Sequence, residues 1–374
     1  MGAAALRDST SCRPEALVDE AGATRDAAGQ IEALCGIVVT ITLISAYTTR
    51  YDQMIGHTRQ VLASANLSFL SLQMFFAITA YQLVKEISRH PDLLRYAIER
   101  MRRFLPAVIP AVALTYAIIA GSHIPRLHAD IATLLANLTM VADFIGASDF
   151  DGAFWRIKIE LMFSVVLGLV WFGMGPRAAA AVVALGLLGC AAQVQPDPVH
   201  QAVLSPVGLL TMDGYLPNFT FGMTLFFLIE GRNRPLWLCV GAVSACLVAA
   251  SNTPLHAALV LFTYCVIVGA AHGRIRGLAA FKALTALGRI FLAVYLIHQA
   301  VGFALIYALE QRGFAPEIAI GAAAGAAILC GTGLHRIAAE LRTANWGALL
   351  RVGKLPAGQT DRITIRGEQD NFSF

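Results

Sequence analysis

The chain is short of charge. Asp, Glu, Lys and Arg make up 14% of its 374 residues, against about 25% in an ordinary soluble domain. A soluble globule of this length needs far more polar surface, so that class is excluded. Gly 32, Pro 14 and Cys 7 are too few for a collagenous, low-complexity or disulfide-built chain. The cysteines show no Cys-x-x-Cys and no Cys/His metal spacing, so the sequence offers no metal site; five of them (Cys35, Cys190, Cys246, Cys265 and Cys330) lie in apolar runs and read as packing residues. No glycine-rich loop of the nucleoside-triphosphate kind is present. The alternation of transmembrane β-strands is missing too.

What remains is an excess of apolar residues, 57% of the chain, with a mean hydropathy of +0.64. That composition predicts an all-α polytopic membrane protein. Apolar runs fall near 31–48, 64–84, 104–122, 155–174, 178–194, 215–230, 235–250, 255–271, 288–309 and 316–334, a bundle of about ten transmembrane helices. The stretch at 195–214 reads as a short re-entrant piece or the start of the sixth span. Residues 1–30 have no apolar core of a cleaved signal and read as a disordered cytoplasmic tail. The transmembrane domain covers 31–334, and 335–374 is a second cytoplasmic tail.

The basic residues orient the bundle. All of the 28 Lys and Arg except Arg50, Arg59, Arg126, Arg156, Lys158 and Arg312 fall on one side of the ten-span arrangement. The positive-inside rule then puts both termini in the cytoplasm; the expected location is the cell (inner) membrane. The net charge of +4 follows that topology and calls for no nucleic-acid partner.

Polar groups inside spans are costly, so each is a functional candidate. Glu160 follows Trp155, Arg156 and Lys158 early in the fourth span, with Trp155 expected at the outer interface and Glu160 about a turn and a half deeper. An ion pair between Glu160 and Arg156, four residues apart, is the structural alternative to a carboxylate lining a polar cavity. His298 in the ninth span shares a helix face with Tyr295, three residues before it. It suits proton transfer near neutral pH or an interhelical hydrogen bond. Asn218 lies in the sixth span. Arg100, Arg102 and Arg103 stand where the chain enters the third span. They read as a positive-inside anchor or as a clamp for phosphates, which guanidinium forks bind bidentately.

Taken in order, Phe75-Phe76-Ala77-Ile78-Thr79-Ala80, Arg102-Arg103-Phe104-Leu105-Pro106, Trp155 to Glu160 with Phe163, Pro217 to Gly222, and Gly288 to His298 resemble the motif series of the type-three integral membrane acyltransferases. That family includes O-acetyltransferases of bacterial surface polysaccharides. One departure stands out. The family's first span carries an Arg and, about eleven residues later, a His; here those positions hold Cys35 and Ser45 or Ala46. His57 lies about eleven residues further on, beyond the span, and is not expected to stand in for that histidine.

The resemblance implies transfer of an acyl group, acetyl in the first instance, from cytoplasmic acyl-CoA to a hydroxyl of a cell-surface or lipid-linked carbohydrate. Acyl-CoA would be a co-substrate, with no permanently bound cofactor. Arg100, Arg102 and Arg103 would hold CoA phosphates. His298 and Glu160 would be catalytic, with Glu160 orienting the imidazole. Trp155, Tyr295 and Asn218 would shape the substrate cavity. The alternatives are a degenerate member that binds a glycan or lipid as an accessory protein, and an unrelated transporter. The lack of similar halves argues against a transporter of the inverted-repeat kind.

Overall fold

A computed structural model describes residues 14–61, 65–122, 130–140, 152–192, 214–231, 234–275 and 277–343, with residues 124, 127 and 150 between them. Among the described residues the chain is helical and without strands. Seven helices are long and apolar enough to cross a membrane, and three shorter apolar helices, Pro176–Leu188, Leu216–Ile229 and Arg234–Ala250, fall on the fifth, sixth and seventh runs expected from sequence. The polytopic helical fold therefore stands.

In chain order the helices are α1 (Pro14–Ser45), α2 (Ala65–Ile87), α3 (Leu93–Ser122), α4 (Ile131–Leu138), α5 (Phe154–Met174), α6 (Pro176–Ala192), α7 (Leu216–Ile229), α8 (Arg234–Ala250), α9 (Pro254–Ala271), α10 (Lys282–Arg289), α11 (Phe291–Glu310) and α12 (Pro316–Thr343). Helix α1 starts at Pro14 and α12 runs to Thr343, so helix extends beyond the ends expected at 31 and 334. Of the expected tails, residues 1–13 and 344–374 lie outside the described residues, as does most of the 195–214 stretch.

Local chemistry sets several boundaries. Gly175 closes α5 at a φ of 87° and Pro176 opens α6, the Gly-stop and Pro-start pairing that each residue's backbone favours. Asp130 caps α4 through a 2.7 Å bond from the Thr133 amide, and that bond holds its carboxyl below the usual carboxylate range. Pro106 and Pro110 sit inside α3, tolerated where neighbouring helices bury the loosened backbone. Helix α1 ends in a π-helical turn, Ala46–Arg50, then a last turn at Tyr51–Met54.

The core lies where α11 packs against α12 and α3, α1 against α10 and α2, and α2 against α7. Small residues permit these approaches. A Cβ at Gly36 would meet the backbone of Leu284, one at Gly288 the backbone of Glu32, and one at Gly222 the carbonyl of Ala77. Two ends of the bundle result. One gathers Lys85, Glu86, Arg89 and Arg103 and is called here the basic end. The opposite end is closed by His57 against Glu310.

Candidate functional site

Helix α11 is buried along most of its length, and His298 lies in its interior. Its Nδ1 is 2.6 Å from the carbonyl of Tyr295. A carbonyl only accepts, so Nδ1 carries the hydrogen and Nε2 keeps the lone pair. Nε2 has no hydrogen-bond partner among the described residues. The helix segment is held from outside as well. The Tyr47 hydroxyl, from the π turn after α1, donates to the carbonyl of His298 at 2.8 Å. That ring fits because residue 302 is glycine; a Cβ there would run into Tyr47.

Aromatic rings surround this point. Tyr295 stands 5.4 Å from the His298 ring and 5.6 Å from Phe75, centroid to centroid. Phe75 touches Phe76, and Phe76 touches Tyr215 and Phe219. Trp155 packs at 5.8 Å from Tyr215. The Arg156 guanidinium lies over both Trp155 and Tyr295, at 5.6 and 5.5 Å. Trp155 and Tyr295, both expected to shape a cavity, are thus joined through Arg156. Helix α5 starts beside these rings, and the part-buried indole packs against Tyr215.

Glu160 also departs from expectation. It pairs neither with Arg156 nor with His298. Its carboxylate receives Arg100 from α3, and Tyr96, one turn earlier, meets Ser164 Oγ at 2.6 Å. These rungs follow from two antiparallel helices whose i and i+4 positions face each other. Arg100 is bound on its other side by Glu86 of α2, at 3.3 Å, and Arg103 reaches the same Glu86 oxygen at 3.3 Å. The second oxygen of Glu86 is buried with no hydrogen-bond partner among the described residues.

The three arginines expected to act together have separate places. Arg103 lines a cavity of about 680 Å³ at the basic end, shared with Lys85, Glu86, Arg89, His90 and His272. Arg100 lies beneath it, buried and doubly paired. Arg102 points away, about half exposed, with its own-helix neighbour Glu99 at 3.8 Å. Lys85 and Arg89 belong to the basic cluster that oriented the topology, but their sequence position alone gave no reason to prefer them over Arg102. Asn218 faces a packing contact instead of the His298 cluster, since its Oδ1 accepts from the Tyr264 hydroxyl at 2.7 Å.

The first-span positions are filled by packing residues. Cys35 is buried in the core, and the Ser45 hydroxyl returns to the carbonyl of Thr42. His57 folds back over the end of α1, where its Nδ1 meets Glu310 Oε1 at 2.6 Å and its Nε2 the carbonyl of Tyr47 at 2.8 Å. Glu310 Oε2 accepts from the amide of Thr58 at 2.9 Å. With an oxygen against each ring nitrogen, His57 has no free lone pair to offer a substrate.

A family model described as an acyltransferase domain matches residues 33–336 of the chain. The matched stretch runs from α1 into α12 and contains Glu86, Arg100, Glu160 and His298. No curated protein and no solved structure matches it.

Proposed function

The chain belongs to the type-three integral membrane acyltransferase family, and from that footing we propose that it is an O-acyltransferase drawing on acyl-CoA, acetyl-CoA in the first instance, and delivering the acyl group to a hydroxyl of a cell-surface or lipid-linked carbohydrate. The observation that carries the reading is the state of His298. It is a buried imidazole of fixed tautomer, its Nε2 without a partner among the described residues, packed against an aromatic cluster. Such a group takes a proton from an attacking hydroxyl without needing to reorient. Lys85, Arg89 and Arg103, which line the cavity at this end together with Glu86, Glu99 and Glu230, are the cations there that suit the phosphates of CoA. In this reading the basic end is cytoplasmic, in the inner membrane, with both termini on that side. Glu160, neutralising Arg100, is a positioning residue.

The hydroxyl oxygen bonds to the thioester carbon as its proton passes to His298 Nε2. The carbon–sulfur bond then breaks, and the thiolate leaves with a proton returned from the imidazolium. Radiolabelled acetyl-CoA supplied to membranes carrying the chain is expected to label surface glycan. His298→Ala should lower the rate by about 10²–10⁴-fold. The packing residues at the first-span positions, Cys35 and Ser45, favour a second reading, a non-catalytic glycan- or lipid-binding member. Absence of label from well-expressed intact chain would establish that one instead.

A further inference from the structure

Arg156 is left over from this scheme. Its guanidinium rests on two aromatic faces. Its Nε is buried with no hydrogen-bond partner, and among the described residues no carboxylate pairs with it. Helix geometry offered Glu160 at i+4, but Arg100 occupies that carboxylate. A partly buried guanidinium whose Nε is buried and unpartnered, and which no carboxylate among the described residues neutralises, is placed to stabilise a negative charge that arises beside it. Its position says where that charge arises. Tyr295 carries the guanidinium on one ring contact and His298 on another, 5.4 Å away.

We propose that Arg156 is a further catalytic residue, the donor that takes up the charge on the acyl carbonyl oxygen; the inference rests on the acyl-transfer reading above. As the hydroxyl adds to the thioester carbon and its proton goes to His298 Nε2, the carbonyl π pair becomes a lone pair on oxygen, and the guanidinium N–H groups hold that oxyanion. When the carbonyl re-forms, the carbon–sulfur bond breaks and the thiolate takes the proton from His298. The two rings fix the guanidinium plane beforehand, so no reorganisation is needed as charge develops, which is what makes such donors effective. A positive charge close to the imidazole and the oxyanion together complete a base-and-donor pair of the usual acyl-transfer kind.

The test uses full-length chain in native membranes, with radiolabelled acetyl-CoA as donor and the cell's own envelope glycan in excess as acceptor. Arg156→Gln is expected to lower kcat by about 10²–10³-fold with KM for acetyl-CoA unchanged. Arg156→Lys, which keeps the charge but loses the fork, should fall between it and the intact chain. Retention of labelled CoA shows that a variant is folded. If Arg156→Gln retains no CoA, Arg156→Lys is decisive: a lower kcat at intact CoA binding supports the role, and an unchanged kcat overturns it. A kcat within threefold of the intact chain for Arg156→Gln, or a loss confined to KM, also overturns it. No transfer by the intact chain overturns the acyl-transfer reading itself, an outcome distinct from intact-chain transfer that Arg156→Gln leaves undiminished.

Discussion

Two buried histidines show how much a single contact decides. His298 donates from Nδ1 to a carbonyl of its own helix and keeps Nε2 available, whereas His57 has an oxygen against both nitrogens. The same side chain is a candidate base in one place and a clasp in the other. Removing the clasp leaves a buried Glu310 oxygen without its hydrogen-bond partner. His57→Ala is therefore expected to destabilise the fold by about 1–3 kcal/mol, read as a lower midpoint of thermal unfolding in detergent, while transfer by the surviving folded protein stays near normal. Tyr47→Phe removes one buried hydrogen bond, worth about 1 kcal/mol, and loosens the carbonyl of His298. The expected signature is a reduced kcat with little change in KM for acetyl-CoA. Sequence spacing put Tyr295 and His298 on one helix face correctly. It had no access to Tyr47, which is 251 residues from His298 in the chain.

At the scale of elements, the glycines that let helices touch are as important as the apolar runs that make them. Helices α1 and α10 cross where Gly36 meets Leu284 and Gly288 meets Glu32, backbone against backbone. The Glu32–Arg289 ion pair, 2.9 Å, stands beside that crossing. Adding a methyl group there forces the helices apart, and overpacking of this kind costs about 1–3 kcal/mol. Gly288→Ala is expected to lower the unfolding midpoint and to weaken α11 packing, because α10 leads directly into it. The starts of two helices are set by rings: Tyr215 precedes α7 beside Phe76, and Trp155, in the first turn of α5, packs against Tyr215.

For the whole molecule, the charge network is what ties separate spans together. Glu86 of α2, Arg100 and Arg103 of α3 and Glu160 of α5 form one connected set between the basic cavity and the interior rings. Glu160→Gln leaves Arg100 with half its partners, and breaking a buried pair in this way costs about 3–5 kcal/mol. Replacing both Arg100 and Glu160 by Met should recover part of that stability, since the Met pair needs no counter-charge and Glu86 keeps Arg103 as a partner. Unfolding of the single and double variants in mixed micelles measures the difference. Full recovery of transfer by the double variant would show that the pair does not position the site. Legibility at this scale was uneven. The motif order identified the family and placed Arg100, Arg103, Glu160, Tyr295 and His298 among the candidates. It mispaired Glu160 and overlooked Glu86, because a carboxylate at the end of an apolar run looks like any helix terminus until its neighbours from other spans are known.

The sequence alone determined the solvent, the helical class, the approximate position of ten apolar segments and the family, because each depends on composition, on run length or on motifs contiguous in the chain. Only the tertiary structure decided which charges neutralise one another, which histidine keeps a nitrogen without a partner among the described residues, and that Arg156 rests on Tyr295, the ring next to His298. Those outcomes depend on contacts between α1, α2, α3, α5 and α11, and in a bundle of packed helices the partner of a buried polar group is set by which faces meet, a quantity that spacing along one helix does not contain.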